Sequence, residues 1–108
     1  MTVIEPIEDN IEQASGLPAS AYTSDEFLRL EQQKLFASTW HAVGFVQDVS
    51  NPGDVCPVQS ASGRALLLVR DQENQIRVFH NFCRHRGMRL ADVPSKGRKN
   101  IVCPYHAW

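Results

Sequence analysis

The stretches Cys83-Arg84-His85-Arg86-Gly87 and Cys103-Pro104-Tyr105-His106-Ala107-Trp108 decide the reading of this chain. Each brings one thiol and one imidazole together within a few residues. The pattern is C-x-H, then seventeen intervening residues (86 to 102), then C-x-x-H. Each pair follows an apolar stretch that reads as a strand, so the two pairs sit on two loops able to face each other. Thiolates favour zinc or iron–sulfur, and imidazole suits zinc or iron. A structural zinc site commonly spaces its ligands as C-x-x-C and H-x-x-x-H. Here each pair is mixed. A 2Fe–2S centre with two cysteines on one iron and two histidines on the other wants this mixture, because each loop then gives one ligand to each iron. Cys83 and Cys103 would hold the first iron, His85 and His106 the second. A structural zinc module is the competing reading of the same four residues.

Working outward, the segment ahead of the motifs reads as short antiparallel strands. Asn51-Pro52-Gly53-Asp54 is a strong turn signal. Asp54–Gln59 follows as a strand, with Pro57 marking an edge. Ser62-Gly63 turns the chain into Ala65–Arg70, a nearly continuous apolar run of the buried kind. Asp71–Asn74 makes a hairpin, and Gln75–His80 returns with Ile76, Val78 and His80 on one face. A long loop covers 81–100, Ile101-Val102 reads as a short strand, and Trp40–Val46 reads as another. The fold class expected is mainly β: a small antiparallel β-sandwich with an N-terminal helical extension.

Ahead of the strands, Thr23 and Glu26 have capping-box spacing. They predict a helix from about Ser24 to Ser38 with Phe27, Leu28, Leu35 and Phe36 on its buried stripe. Trp40 and Trp108 read as core or interface aromatics. Residues 1–16 read as a flexible acidic tail, 17–40 as the helical extension and 41–108 as the metal-binding domain. The chain has 108 residues and a net charge of -1, so no charge imbalance points to nucleic acid or a membrane. The longest apolar run, Ala65 to Val69, is far too short to span a bilayer. Met1 to Gln13 carries four acids and no Lys or Arg, unlike a secretory signal, which predicts a cytoplasmic location. Three cysteines do not make a disulfide framework, and Cys56 reads as a small buried hydrophobe.

With these motifs on the page, the chain resembles the Rieske domain of the large (alpha) subunits of ring-hydroxylating oxygenases. The resemblance rests on both ligand motifs and on the helix ending in Trp40 before Val43-Gly44. It covers roughly residues 17–108. It implies the Rieske sandwich fold and a Rieske 2Fe–2S cofactor held by Cys83, His85, Cys103 and His106. It further implies electron delivery from a reductase or ferredoxin, and onward relay to a mononuclear non-haem iron that activates O₂ for mono- or dioxygenation. In the family that iron sits in a C-terminal catalytic domain, and the large subunits commonly assemble as trimers. Ending at Trp108, the sequence is expected to be an N-terminal portion of such a subunit, with the last Rieske strands missing. A stand-alone Rieske ferredoxin is the alternative, although it would have no use for a helical extension.

The charges near the motifs bear on the redox chemistry. Two ferric ions, two sulfides and two thiolates are neutral together, and one-electron reduction makes the cluster -1. Arg84 to Lys99 holds six basic residues against one acid, Asp92. Such charge favours the reduced form and draws an acidic partner, with Arg84 and Arg86 best placed because they flank a ligand. The ligand loops contain no additional cysteine, unlike the disulfide-bearing high-potential Rieske proteins. This places the chain with the lower-potential type. Gly87 is expected to allow a tight turn around the cluster, and Pro104 to stiffen the second loop.

Overall fold

Alternation and turn chemistry build three strands, which the computed structural model resolves as β1 (Val55–Gln59), β2 (Ala65–Arg70) and β3 (Ile76–His80). The structure describes residues 10–108, and most of the acidic tail read at 1–16 lies outside the described residues. The chain divides into two compact units between Thr39 and Trp40.

In the first unit, α1 (Ser20–Thr23) is followed by α2 (Asp25–Glu31) and a π-helical turn over Gln32–Phe36. The expected single helix over 24–38 is therefore broken in character, and its cap moves by one residue. Ser24 is extended and its hydroxyl accepts the Phe27 N–H at 3.3 Å. Thr23 instead donates to the Ala19 carbonyl at 3.1 Å, as the last residue of α1. At the far end the hydroxyls of Ser38 and Thr39 donate to the Lys34 and Leu35 carbonyls, both at 2.8 Å, taking up acceptors a helix end leaves open. Of the expected stripe, Phe27 is buried and Phe36 half-buried, whereas Leu28 and Leu35 are exposed. The π turn widens the helical repeat, so a stripe drawn at 3.6 residues per turn does not stay on one face.

The second unit begins without the expected strand: residues 40–45 pair with no β partner, and Trp40 is fully exposed. A 3₁₀ turn, Val46–Val49, follows, fastened by the Asp48 carboxylate accepting the Phe45 N–H at 2.7 Å. Its last residue, Val49, is fully buried. The strands form one antiparallel meander in the order β1-β2-β3. Pairings run Val55↔Val69 to Gln59↔Ala65 and Leu66↔His80 to Arg70↔Ile76. Pro57 lies on the edge strand, as its missing N–H requires. β2 is paired on both sides and carries the buried Leu67 and Leu68. The described residues form this one antiparallel sheet, without pairing at Ile101-Val102.

What the sheet positions is the chain from 81 to 108. The first ligand loop leaves the end where His80 pairs with Leu66, and Asn81 continues the ladder by donating to the Ala65 carbonyl at 2.9 Å. The connector is fastened at the opposite end. Ser95 and Val55 exchange both backbone bonds at 2.9 Å, and the Arg98 N–H reaches the Gly53 carbonyl at 2.7 Å. The buried Asp54 carboxylate accepts the Asn51 N–H at 3.0 Å and the Lys96 ammonium at 3.2 Å. Tied at both ends of the sheet, the chain returns to bring the second ligand loop against the first.

Candidate metal centre

The two ligand loops are built alike. In the first, the Cys83 N–H donates to the Met88 carbonyl at 2.7 Å and the Gly87 N–H to the Cys83 carbonyl at 2.8 Å. In the second, the Cys103 N–H donates to the Trp108 carbonyl at 2.7 Å and the Ala107 N–H to the Cys103 carbonyl at 3.0 Å. Each loop closes after six residues, and each turns at a left-handed residue in the same place, Gly87 (φ 70°) and Ala107 (φ 56°). The left-handed step expected at Gly87 is present, and its counterpart is an alanine.

These loops bring the four candidate residues together in like pairs. His106 Nδ1 and His85 Nδ1 lie 3.3 Å apart, with ring centroids at 5.0 Å and planes at 58°. Two nitrogens bound to one tetrahedral ion at about 2.1 Å each would lie about 3.4 Å apart. The imidazole pair thus has the spacing of two ligands on one ion. Cys83 and Cys103 are both buried with free thiols. The backbone N–H groups of Tyr105, most strongly, and of His106 donate to the Cys103 sulfur, and with Cys83 they hold its thiol below the ordinary cysteine range although burial pushes the other way. That favours the thiolate, the form that binds metal. The donor set therefore separates into a sulfur pair and a nitrogen pair. A two-iron cluster with unlike irons fits this arrangement, whereas a single tetrahedral ion needs all four around one point. Among the described residues no three His, Cys, Asp or Glu side chains gather around one ion position.

Burial separates the pairs as well. Cys83 and Cys103 are buried, and His85 and His106 face solvent. Tyr105 stacks on His106 with centroids 3.9 Å apart, and Trp108 lies 5.4 Å from His85. Trp108 is 70% exposed, so it borders the imidazoles rather than joining a core. His80 meets Phe82, at 5.3 Å, and among the described residues no ring contact joins it to His85 or His106. Cys56 is half-buried on β1 with its thiol pushed up by burial, in keeping with a packing role. Of the basic loop, Arg89 pairs with Asp92 at 3.5 Å and Lys96 with Asp54, while Arg84 and Arg86 are exposed beside His85.

Sequence reasoning missed Asn81 and Asp54. Both are buried polar side chains that fasten the segments leading to the ligands. A readable signal exists for Asn81 alone: an amide-bearing residue, able to imitate backbone hydrogen bonding, between an apolar strand and the first ligand. For Asp54 the Asn51 N–H is local to the turn, but the Lys96 ammonium lies too far along the chain to be read.

The Rieske [2Fe-2S] domain family matches residues 39–108. The carnitine monooxygenase oxygenase subunit of Escherichia coli K12 is 33% identical over 92% of this chain and 26% of its own length. The large oxygenase component of salicylate 5-hydroxylase from Ralstonia is 37% identical over 90% of this chain and 23% of its own. Among solved structures, the apo form of a quaternary ammonium Rieske monooxygenase superposes with a TM-score of 0.75 at 32% identity, covering 88% of this chain and 27% of that one. The chain thus spans about a quarter of the length of the relatives it matches, and that quarter is their Rieske portion. With a paired sulfur and nitrogen donor set on two closed loops beside an antiparallel sheet, this chain belongs to the Rieske [2Fe-2S] domain family.

Proposed function

We propose that the chain binds a Rieske 2Fe–2S cluster through Cys83 and Cys103 on one iron and His85 and His106 on the other. We further propose that it relays single electrons from a reductase or ferredoxin toward a mononuclear non-haem iron in an oxygenase large subunit. The observation that carries this reading is the pairing of like donors, with the two Nδ1 atoms 3.3 Å apart and the Cys83 and Cys103 thiols free and buried. Bound there, the cluster supplies one-electron transfer. The residues of the chain do the rest. Buried sulfurs shield one side, and exposed imidazoles present the other to a partner. Arg84 and Arg86 favour the reduced, more negative state and an acidic donor surface. The relatives named for carnitine and for salicylate share this portion with the chain. Electron relay is the task common to both, and the substrate of the whole protein is an organic molecule bound outside this portion.

The stand-alone ferredoxin reading accounts less well for α1 and α2 and for similarity that reaches beyond the family match to 92% of the chain. The test is spectroscopic. Anaerobically purified protein is expected to be coloured, with two irons and two sulfides per chain and the EPR signal of a mixed Cys/His cluster after reduction. Colourless protein with stoichiometric zinc overturns the proposal. His85→Cys and His106→Cys should each shift the spectrum toward an all-thiolate cluster or abolish assembly, and an unchanged spectrum in either refutes that ligand. Reading the gene beyond codon 108 separates oxygenase from ferredoxin: a frame encoding two histidines and a carboxylate for iron supports the first, an early stop the second.

A further inference from the structure

We propose that Asn81 is a positioning residue for the first ligand loop, its side chain acting as a clamp across the loop's neck. Asn81 is buried at 3% exposure, two residues before Cys83. Its carboxamide spends all of its reach on the opposite side of the loop. Oδ1 accepts the Leu90 N–H at 3.1 Å and the Ala91 N–H at 3.0 Å, and Nδ2 donates to the Ala91 carbonyl at 2.7 Å. Its own backbone N–H is held by the Ala65 carbonyl of β2 at 2.9 Å. One side chain thus joins the central strand, the start of the ligand loop and its exit. The Cys83–Met88 and Gly87–Cys83 bonds close the inside of the loop, and Asn81 closes it from outside. Three backbone groups of the half-buried Leu90 and Ala91 are satisfied there, and removing the amide takes that partner from all three.

The inference deepens the cluster reading and rests on it for its consequence: a held neck keeps Cys83 and His85 in register with Cys103 and His106. Partners that orient metal ligands typically change affinity about ten- to a hundredfold when removed. Asn81→Ala is therefore expected to release the cluster about tenfold faster or more, and to shift its reduction potential and EPR g-values. Asn81→Asp keeps the Oδ1 acceptor for both N–H groups but replaces the Nδ2 donor with an oxygen facing the Ala91 carbonyl. It should restore part of the retention while its added negative charge lowers the potential.

The decisive experiment pairs two measurements on the full chain. Amide exchange at Leu90 and Ala91 reads the clamp directly. Cluster-release rate and potential read its effect. Selective loss of protection at those two amides in Asn81→Ala, with release accelerated and Asn81→Asp intermediate, supports the proposal. Unchanged exchange, or unchanged release and potential, overturns it. So does equal acceleration of release by Val49→Ala, a core truncation outside both loops, because general stability would then suffice. If the wild-type chain carries zinc or no metal, the cluster reading fails by itself, and the exchange pattern still decides whether Asn81 clamps the loop.

Discussion

At three residues with left-handed backbone, exchanging glycine and alanine reports three different things. Gly87 (φ 70°) has no atom within 4 Å of where a Cβ would stand, so Gly87→Ala meets only the conformational penalty. It should destabilise by about 1 kcal/mol in urea denaturation. Gly53 (φ 84°) differs, because an added Cβ would lie 2.7 Å from both the Arg98 nitrogen and its carbonyl oxygen. Backbone cannot swing aside as a side-chain tip can, so Gly53→Ala should cost about 3 kcal/mol and loosen the connector's hold on β1. Ala107 occupies in the second loop the position Gly87 holds in the first, and it already bears the left-handed penalty. Ala107→Gly is therefore expected to stabilise the chain by about 0.5 kcal/mol, net of the greater freedom of glycine when unfolded. A loss of stability there would mean that the alanine methyl packs in the assembled centre.

At the scale of elements, the connector between the ligand loops hangs on a buried carboxylate. Hydrogen bonding from the Asn51 N–H, aided by Lys96 and the Gly97 N–H, holds the Asp54 carboxyl below its usual range despite its desolvation. Asp71, bonded by Arg77 and by the Gln75 N–H, is lowered likewise. A depressed carboxyl stabilises the fold above its unfolded pKa, and that contribution drains away as pH falls through the folded value. Stability should therefore decline as pH drops below about 5. Asp54→Asn should lower stability at neutral pH and flatten the acid limb; a limb as steep as the wild type's would assign the sensitivity to Asp71 and other acids. The strands themselves were legible because turn residues and apolar runs are local. Asn51-Pro52-Gly53-Asp54 and Asp71–Asn74 bound β1 to β3 within one residue of their expected ends. The two Cys/His pairs proposed as ligands were legible for the same reason, since each lies within one short loop. The failures have equally local causes. Trp40–Val46 is apolar enough for a strand, yet a strand needs a partner, and pairing is not written in the segment itself. The helix stops at Phe36, two residues short of its expected end, and its later stripe residues shift face because the π turn breaks a constant period. The work of Asp54 depends on Lys96, forty-two positions away, a relation created only by folding.

For the whole molecule, the unit from Trp40 onward has little core with which to hold itself. Val49, Val55, Leu67 and Leu68 are its buried aliphatic side chains, and all five residues of β3 are exposed. Three strands with one modest apolar cluster lie near the lower limit of independent stability. The three cysteines form no disulfide, so no covalent staple ties 81–108 to the sheet. A cluster held by the four proposed residues would supply that tie, because it would join loops twenty residues apart through ligands from both. Binding that the unfolded chain cannot reproduce becomes folding energy. Removing the iron with a chelator under reducing conditions is accordingly expected to lower the thermal midpoint by about 10 °C or more. The loss should also be uneven. Amides of the ligand loops, including Cys83, Gly87, Cys103 and Ala107, should exchange first, while those of β2, bonded on both sides, retain protection longest. Uniform loss along the chain would show that the sheet itself depends on the metal. An unchanged midpoint would mean that the loops stand without it, held by Asn81, Asp54 and their own closing bonds alone.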